Sequence, residues 1–302
     1  RLNNSHLIRT SQRFRDALRT IQTATASHDG VAKKAFHTGA TARAVHGCPL
    51  LHHIGTDLRR DLRLIERTLS SPSCPTSCPI AYLIPRIPFG VARSDSSLSA
   101  AGGYCPEAKF WWYFEWPTDV RARTIKYITT RNNPTLISIN SLEYAAQLIT
   151  MMGCHLHHLN TRATRRDPHP LYLLECDNTA GESWLTKGCT SSAAGRDLAR
   201  LQAALLLDQG AGYRFGRVDT NTNVIADGIS RIQCETSLTH EFPLLLAQAP
   251  SLRGCWRFRP NADLISSIVD VLLRTGCLDP LTASKQLLID PGRFTSYPGA
   301  TT

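Results

Sequence analysis

Four acidic residues of this 302-residue chain stand where an apolar, strand-like run meets a polar turn or helix, and that placement restricts the fold more than any other feature. Asp95 lies in Arg93-Ser94-Asp95-Ser96-Ser97, and Glu143 closes Ile139-Asn140-Ser141-Leu142-Glu143. Asp177 lies in Leu173-Leu174-Glu175-Cys176-Asp177-Asn178-Thr179, and Asp227 in Asn223-Val224-Ile225-Ala226-Asp227-Gly228-Ile229-Ser230-Arg231. A sheet whose strands end together would gather these carboxylates at one end. Such a cluster repels itself unless cations fill it, which makes divalent metal its natural occupant.

The pattern between the acids predicts strands near 88–95, 99–105 and 109–116, the last being Lys109-Phe110-Trp111-Trp112-Tyr113-Phe114-Glu115-Trp116. A helix follows over about 140–152, then a strand over 170–176, a helix from 178, a helix near 195–208, a strand over 213–218 and a helix over about 223–231. Hairpin-forming strands followed by alternating helix and strand make an α/β fold, a mixed sheet flanked by helices. The tail holds one more helix over 261–276, with Asn261 as cap and Gly276 as stop. Beyond Cys277 the residues turn polar and rich in Pro and Gly, so order is expected to fade.

The first 70 residues read as a basic helical segment. Leu58, Leu62, Ile65 and Leu69 share one helical face and arginines fill the other, which suits a nucleic-acid backbone and equally an ordinary solvated face. Residues 71–84 are dense in Pro, Ser and Cys and read as a linker. A net charge of +10 points to a polyanionic partner. No run approaches the roughly 20 apolar residues of a membrane helix, and no secretory pattern opens the chain, so an intracellular protein of cytoplasm or nucleus, with no membrane partner, is expected. The ten cysteines are scattered and read mostly as reduced core thiols. Cys74 with Cys78, and Cys154-His155-Leu156-His157-His158, contain soft ligands but lack the paired spacing of a zinc site.

Each acid also has a purely structural explanation. Asp95 suits a turn after a strand. Glu143, three residues after Asn140, suits a capping box. Asp177 suits a helix cap, and Asp227 an ion pair with Arg231 one turn on. The aromatic strand 110–114 offers stacking faces to bases, but about half of it is more simply core.

Taken in order, strand-Asp-Ser-Ser-x-x-Ala-x-Gly-Gly, Ile-Asn-x-Leu-Glu, Cys-Asp-Asn-Thr-x-x-x-x-Trp-Leu and Asn-x-x-Ala-Asp-x-x-Ser-Arg resemble the ribonuclease H domain of retroelement reverse transcriptases, with the nearest likeness in DIRS-like retrotransposons. The resemblance covers roughly residues 85–232. It implies a ribonuclease-H-like mixed sheet of five strands and hydrolysis of the RNA strand of an RNA–DNA hybrid by two magnesium ions, with manganese as a substitute. By motif position Asp95 bridges both ions, Asp227 helps hold the one that activates water, and Glu143 with Asp177 holds the other. Glu143 is also placed to sense a ribose 2′-hydroxyl, and Asn178, Ser96 and Asn223 are candidates for contact with the hybrid. Residues 1–70 resemble the connection that follows a polymerase, and 233–302 a helical spacer with a disordered tail; the reverse transcriptase domain of the same polyprotein is then a partner.

Two departures accompany the resemblance. The loop Asp219-Thr220-Asn221-Thr222-Asn223 lacks the histidine that many ribonucleases H place before the last aspartate. No Tyr-x-Asp-Asp polymerase motif and no recombinase tyrosine motif occurs, as expected of a piece, or a degenerate copy, of a larger polyprotein. A non-catalytic ribonuclease-H-like module that binds nucleic acid or scaffolds a polymerase is the alternative, and a DNA-cutting relative of the same fold is a third reading.

Overall fold

The computed structural model describes residues 86–129, 137–162, 169–187, 192–207, 211–273 and 290–296. The basic helical segment 1–70 and the linker 71–84, with Cys74 and Cys78, lie outside the described residues.

The strands are β1 (Gly90–Ser96), β2 (Ala100–Cys105), β3 (Phe110–Glu115), β4 (Leu171–Cys176), β5 (Gly212–Arg217), β6 (Trp256–Pro260) and β7 (Gly292–Thr295). The main helices are α1 (Thr118–Thr129), α2 (Ile139–Thr161), α3 (Thr179–Lys187), α4 (Ala193–Leu207), α5 (Val224–Ser230), α6 (Leu238–Gln248) and α7 (Ala262–Leu273). All seven strands form one sheet in the order β5-β4-β1-β2-β3-β6-β7. The β1–β2, β2–β3 and β6–β7 pairs are antiparallel, while β1–β4, β4–β5 and β3–β6 are parallel.

The sheet is therefore mixed and helix-flanked as expected, but among the described residues it has seven strands where five were anticipated. The two additions come from the region read as a helical spacer and fading tail. Alternation explains why they join. Phe258 faces the same side as Phe110, and Phe110, Phe258 and Phe294 form a ring cluster with centroids 5.9–6.1 Å apart. On the other side Arg257 lies over the Trp111 ring at 5.4 Å and grips Glu235 through two bonds of 2.6 Å. A five-residue and a four-residue strand are too short to announce themselves by periodicity, and aromatic contacts supplied by β3 decide their place.

Both faces of the central strands are covered. On one side Phe110, Trp112 and Ala101 pack with α2, α4 and α7; on the other Trp111, Tyr113 and Ala100 pack with α5 and α6, where Trp111 stacks on Phe242 at 3.7 Å. Phe110, Trp111 and Trp112 are fully buried and Tyr113 nearly so, which makes these rings core on both faces, while Phe114 is half-buried.

The pair Gly102-Gly103 in β2 permits the two layers to close in. A Cβ on Gly102 would lie 2.3 Å from Ile229 Cγ2 of α5, and one on Gly103 would lie 2.9 Å from Thr150 Oγ1 of α2. Adjacent strand residues face opposite sides, so this dipeptide removes side-chain bulk beneath both helices at the same level of the sheet.

Helix α2 runs nine residues further than the expected stop at Met152, because Cys154, Leu156 and His158 continue its buried face. The His/Cys run therefore lies within the helix: His157 Nδ1 is 2.9 Å from the Tyr172 hydroxyl and its ring stacks on Phe89 at 5.5 Å. Among the described residues, no helix is long and apolar enough to cross a membrane.

Candidate metal centre

Asp95 is the next-to-last residue of β1, an interior strand of the sheet where β2 leaves on one side and β4 arrives on the other. The β1–β4 ladder ends at Arg93 and Glu175, so the residues just beyond it line a crevice at the carboxyl ends of parallel strands, where open α/β sheets place their ligands. Asp177 follows the last residue of β4 and faces the same crevice. Glu143 enters from α2. Ligand oxygens of Asp95, Glu143 and Asp177 all lie within 4.8 Å of one another, and among the described residues this is the one group placed to hold an ion.

The N-cap of α2 is Ser138, whose side chain accepts the Ser141 N–H at 3.3 Å, so Glu143 lies beyond the capping position and is 4% exposed. Its Oε1 accepts the Ser96 N–H at 3.4 Å, whereas its buried Oε2 meets no protein donor. Asp177 does not cap α3 either. Asn178 does so, with Oδ1 accepting the Gly181 N–H at 2.8 Å, while its Nδ2 donates to Asn140 Oδ1 at 2.9 Å. Glu175, the other acid of that segment, is taken up by Arg93 at 2.9 Å and stays out of the group.

Asp227 is different. It lies close enough to raise the Asp95 pKa, yet it is not part of the triad; its Oδ1 accepts from Arg231 Nε at 2.6 Å, as the plain ion-pair explanation requires. Ser96 and Asn223 are buried and turned into the fold. Ser96 Oγ accepts from Trp116 Nε1 at 3.0 Å, and Asn223 Nδ2 donates to the Ser94 carbonyl at 3.3 Å, so both shape the crevice from behind.

Sequence reasoning missed Ser230. Its hydroxyl donates to Asp95 Oδ2 at 2.5 Å and is fully buried. The available signal was its position three residues after Asp227, which puts both on one side of α5. Gly102, paired with Asp95 across the β1–β2 ladder, is the other missed residue, since it gives Ile229 room and so lets Ser230 reach Asp95.

The chain matches no protein-family model, no curated protein and no solved structure.

Electrostatics favour a cation. Burial pushes the Asp95 carboxyl up; the Ser230 hydrogen bond opposes this, and the negative charges of Asp177 and Asp227 add to it. Burial pushes Glu143 well above the usual carboxylate range, and Asp95 and Asp177 push it further. An all-oxygen donor set, a buried carboxylate oxygen without a donor, and mutual repulsion fit a hard divalent ion such as magnesium or manganese. Cysteine and histidine, the ligands zinc prefers, take no part in the group.

A pH dependence follows from these shifts. Glu143 and Asp95 hold their protons more tightly folded than unfolded, so their favourable contribution is complete below the ordinary carboxylate value and is lost as pH rises towards the folded one. In chelator, the thermal midpoint is expected to fall as pH rises above the ordinary carboxylate range. Glu143→Gln should flatten that fall, as read by differential scanning calorimetry; an unchanged slope in the variant would assign the pH dependence elsewhere.

Proposed function

We propose that this protein is a ribonuclease H that hydrolyses the RNA strand of RNA–DNA hybrids, as part of a retroelement reverse transcriptase polyprotein. The observation that carries the reading is the convergence of Asp95, Glu143 and Asp177, from three separate sequence motifs, on one largely buried point at the carboxyl end of β1. The helix-flanked mixed sheet, with three antiparallel strands followed by parallel β4 and β5, is compatible with a ribonuclease-H-like fold, and β6 and β7 extend it at the β3 edge. The chain's excess of positive charge suits a polyanionic substrate.

Divalent ions bound by such carboxylates supply an activated water and charge relief for the leaving oxygen. The residues provide the rest. Asp95, Glu143 and Asp177 lie on rigid elements, a strand end, a helix and a strand-to-helix junction, so their oxygens need little reorganisation. Asn178 and Asn140, locked amide to amide, hold the first turns of α3 and α2 together behind Asp177 and Glu143. Because burial raises both carboxyls, protons compete with a cation for Glu143 and Asp95, so ion uptake is expected to tighten as pH rises.

The test is cleavage of a labelled RNA–DNA hybrid beside matched RNA and DNA duplexes, with magnesium, manganese or chelator. Cutting of the hybrid alone, in metal only, is expected. Tight hybrid binding without cutting in either metal would favour the scaffolding module, which the diversion of Asp227 to Arg231 also suits. Cutting of duplex DNA would favour the DNA-cutting relative.

A further inference from the structure

Two side-chain amides tie helix α2 to the segment that carries Asp177, one on each side of the acidic group. Three residues before Glu143, Asn140 Oδ1 accepts from Asn178 Nδ2 at 2.9 Å, one residue past Asp177. Four residues after Glu143, Gln147 Nε2 donates to the Glu175 carbonyl at 2.8 Å, two residues short of Asp177. Positions 143 and 147 are one helical turn apart and share a face, so Glu143 stands between the two bonds. Glu175 pairs with Arg93 at the end of the β1–β4 ladder, so the second bond is made where the crevice begins.

Packing alone does not call for an amide at position 147. The residue is 1% exposed, and its Oε1 is buried with no protein donor. Leaving that acceptor unmade in the interior costs at least as much as the one bond from Nε2 returns. Thr150, three residues on and also fully buried, shows the contrast: its hydroxyl accepts from Trp112 Nε1 at 3.0 Å and donates to the Ala146 carbonyl at 3.1 Å.

We propose that Gln147 is a positioning residue that sets the gap between Glu143 and Asp177, and with it the size of divalent ion the acids prefer. This rests on the metal-centre reading above and adds to that site a residue that acts through the acids rather than on the ion. Magnesium holds its oxygens at about 2.0–2.1 Å with little tolerance, whereas calcium accepts a looser set at about 2.3–2.6 Å. A clamp that fixes the two acids therefore favours the smaller ion, and its loss is felt by magnesium first.

Manganese titration of the full chain, followed by the free-ion electron paramagnetic resonance signal with magnesium and calcium as competitors, reads this without any turnover. Gln147→Met, close in volume but without the amide, is expected to lower magnesium affinity on the order of 10-fold and calcium affinity by less than about 2-fold. Gln147→Asn, which keeps the amide but is too short to reach the Glu175 carbonyl, should do the same. Thr150→Val calibrates general loosening of α2: it should lower the melting temperature without moving the ratio of magnesium to calcium affinity. An unmoved ratio in both Gln147 variants, the same change of ratio in Thr150→Val, or loss of folding in both Gln147 variants would overturn the positioning role while leaving the metal centre standing. No divalent binding by the wild type would remove both.

Discussion

On the proposed function, Asp95→Asn is expected to lower hybrid cleavage by at least about 10³-fold, since several kcal/mol of transition-state charge stabilisation would pass through the ions this carboxylate would hold. The variant should fold, and in chelator it should melt higher than the wild type. Asn matches Asp in shape, can still accept the Ser230 hydroxyl, and takes one negative charge out of a buried group that repels itself. Loss of activity with a rise in metal-free stability distinguishes a site residue from a structural one. Retained cleavage, or a fall in the melting temperature, would mean that Asp95 is only the turn residue its Asp-Ser-Ser setting also allows.

Gly102→Ala should be the most damaging substitution that touches no polar group. The added methyl would fall 2.3 Å from Ile229 Cγ2, 2.8 Å from Ile229 Cβ and 3.1 Å from the Ile229 carbonyl carbon, so no rotamer change of Ile229 alone makes room. Helix α5 must lift, at about 1–3 kcal/mol for overpacking, and it carries Asp227 and Ser230 away from Asp95. Expected together are a melting temperature lowered by several degrees and weaker ion binding. Gly181→Ala is the control: its Cβ would meet nothing closer than 3.6 Å, and in α3 alanine should be neutral or stabilising by up to about 1 kcal/mol. Equal damage from both would refute the close-approach explanation.

Much of this was legible in the chain because the deciding signals are local. The apolar run of 171–176 is a short-range pattern, and Asp95 and Asp177 mark where strand-like runs stop. Three of the four acids meet as the motif order implies. What could not be read depends on partners far along the chain. That Asn178 rather than Asp177 caps α3 is a choice between two neighbouring good caps, decided by Asn140 across the crevice. The pairing of Asp227 with Arg231 was among the readings, but the Ser230 hydroxyl on Asp95 bridges 135 residues and leaves no periodic trace. Helix α1 was missed because it has few apolar residues; it docks where Arg123 Nη1 donates to the Leu273 carbonyl at 2.6 Å.

The way β6 and β7 close the sheet bears on where the unit that carries the acidic triad can be cut out. A fragment ending at 232, the limit of the motif resemblance, would strip the hydrogen-bonding partner from one side of β3 and bare the rings of Phe110 and Trp111. An unpaired aromatic strand of that kind recruits other strands, and such a preparation would aggregate for reasons unrelated to its chemistry. The smallest piece worth purifying therefore extends through β7 to Ser296, about seventy residues past Asp227.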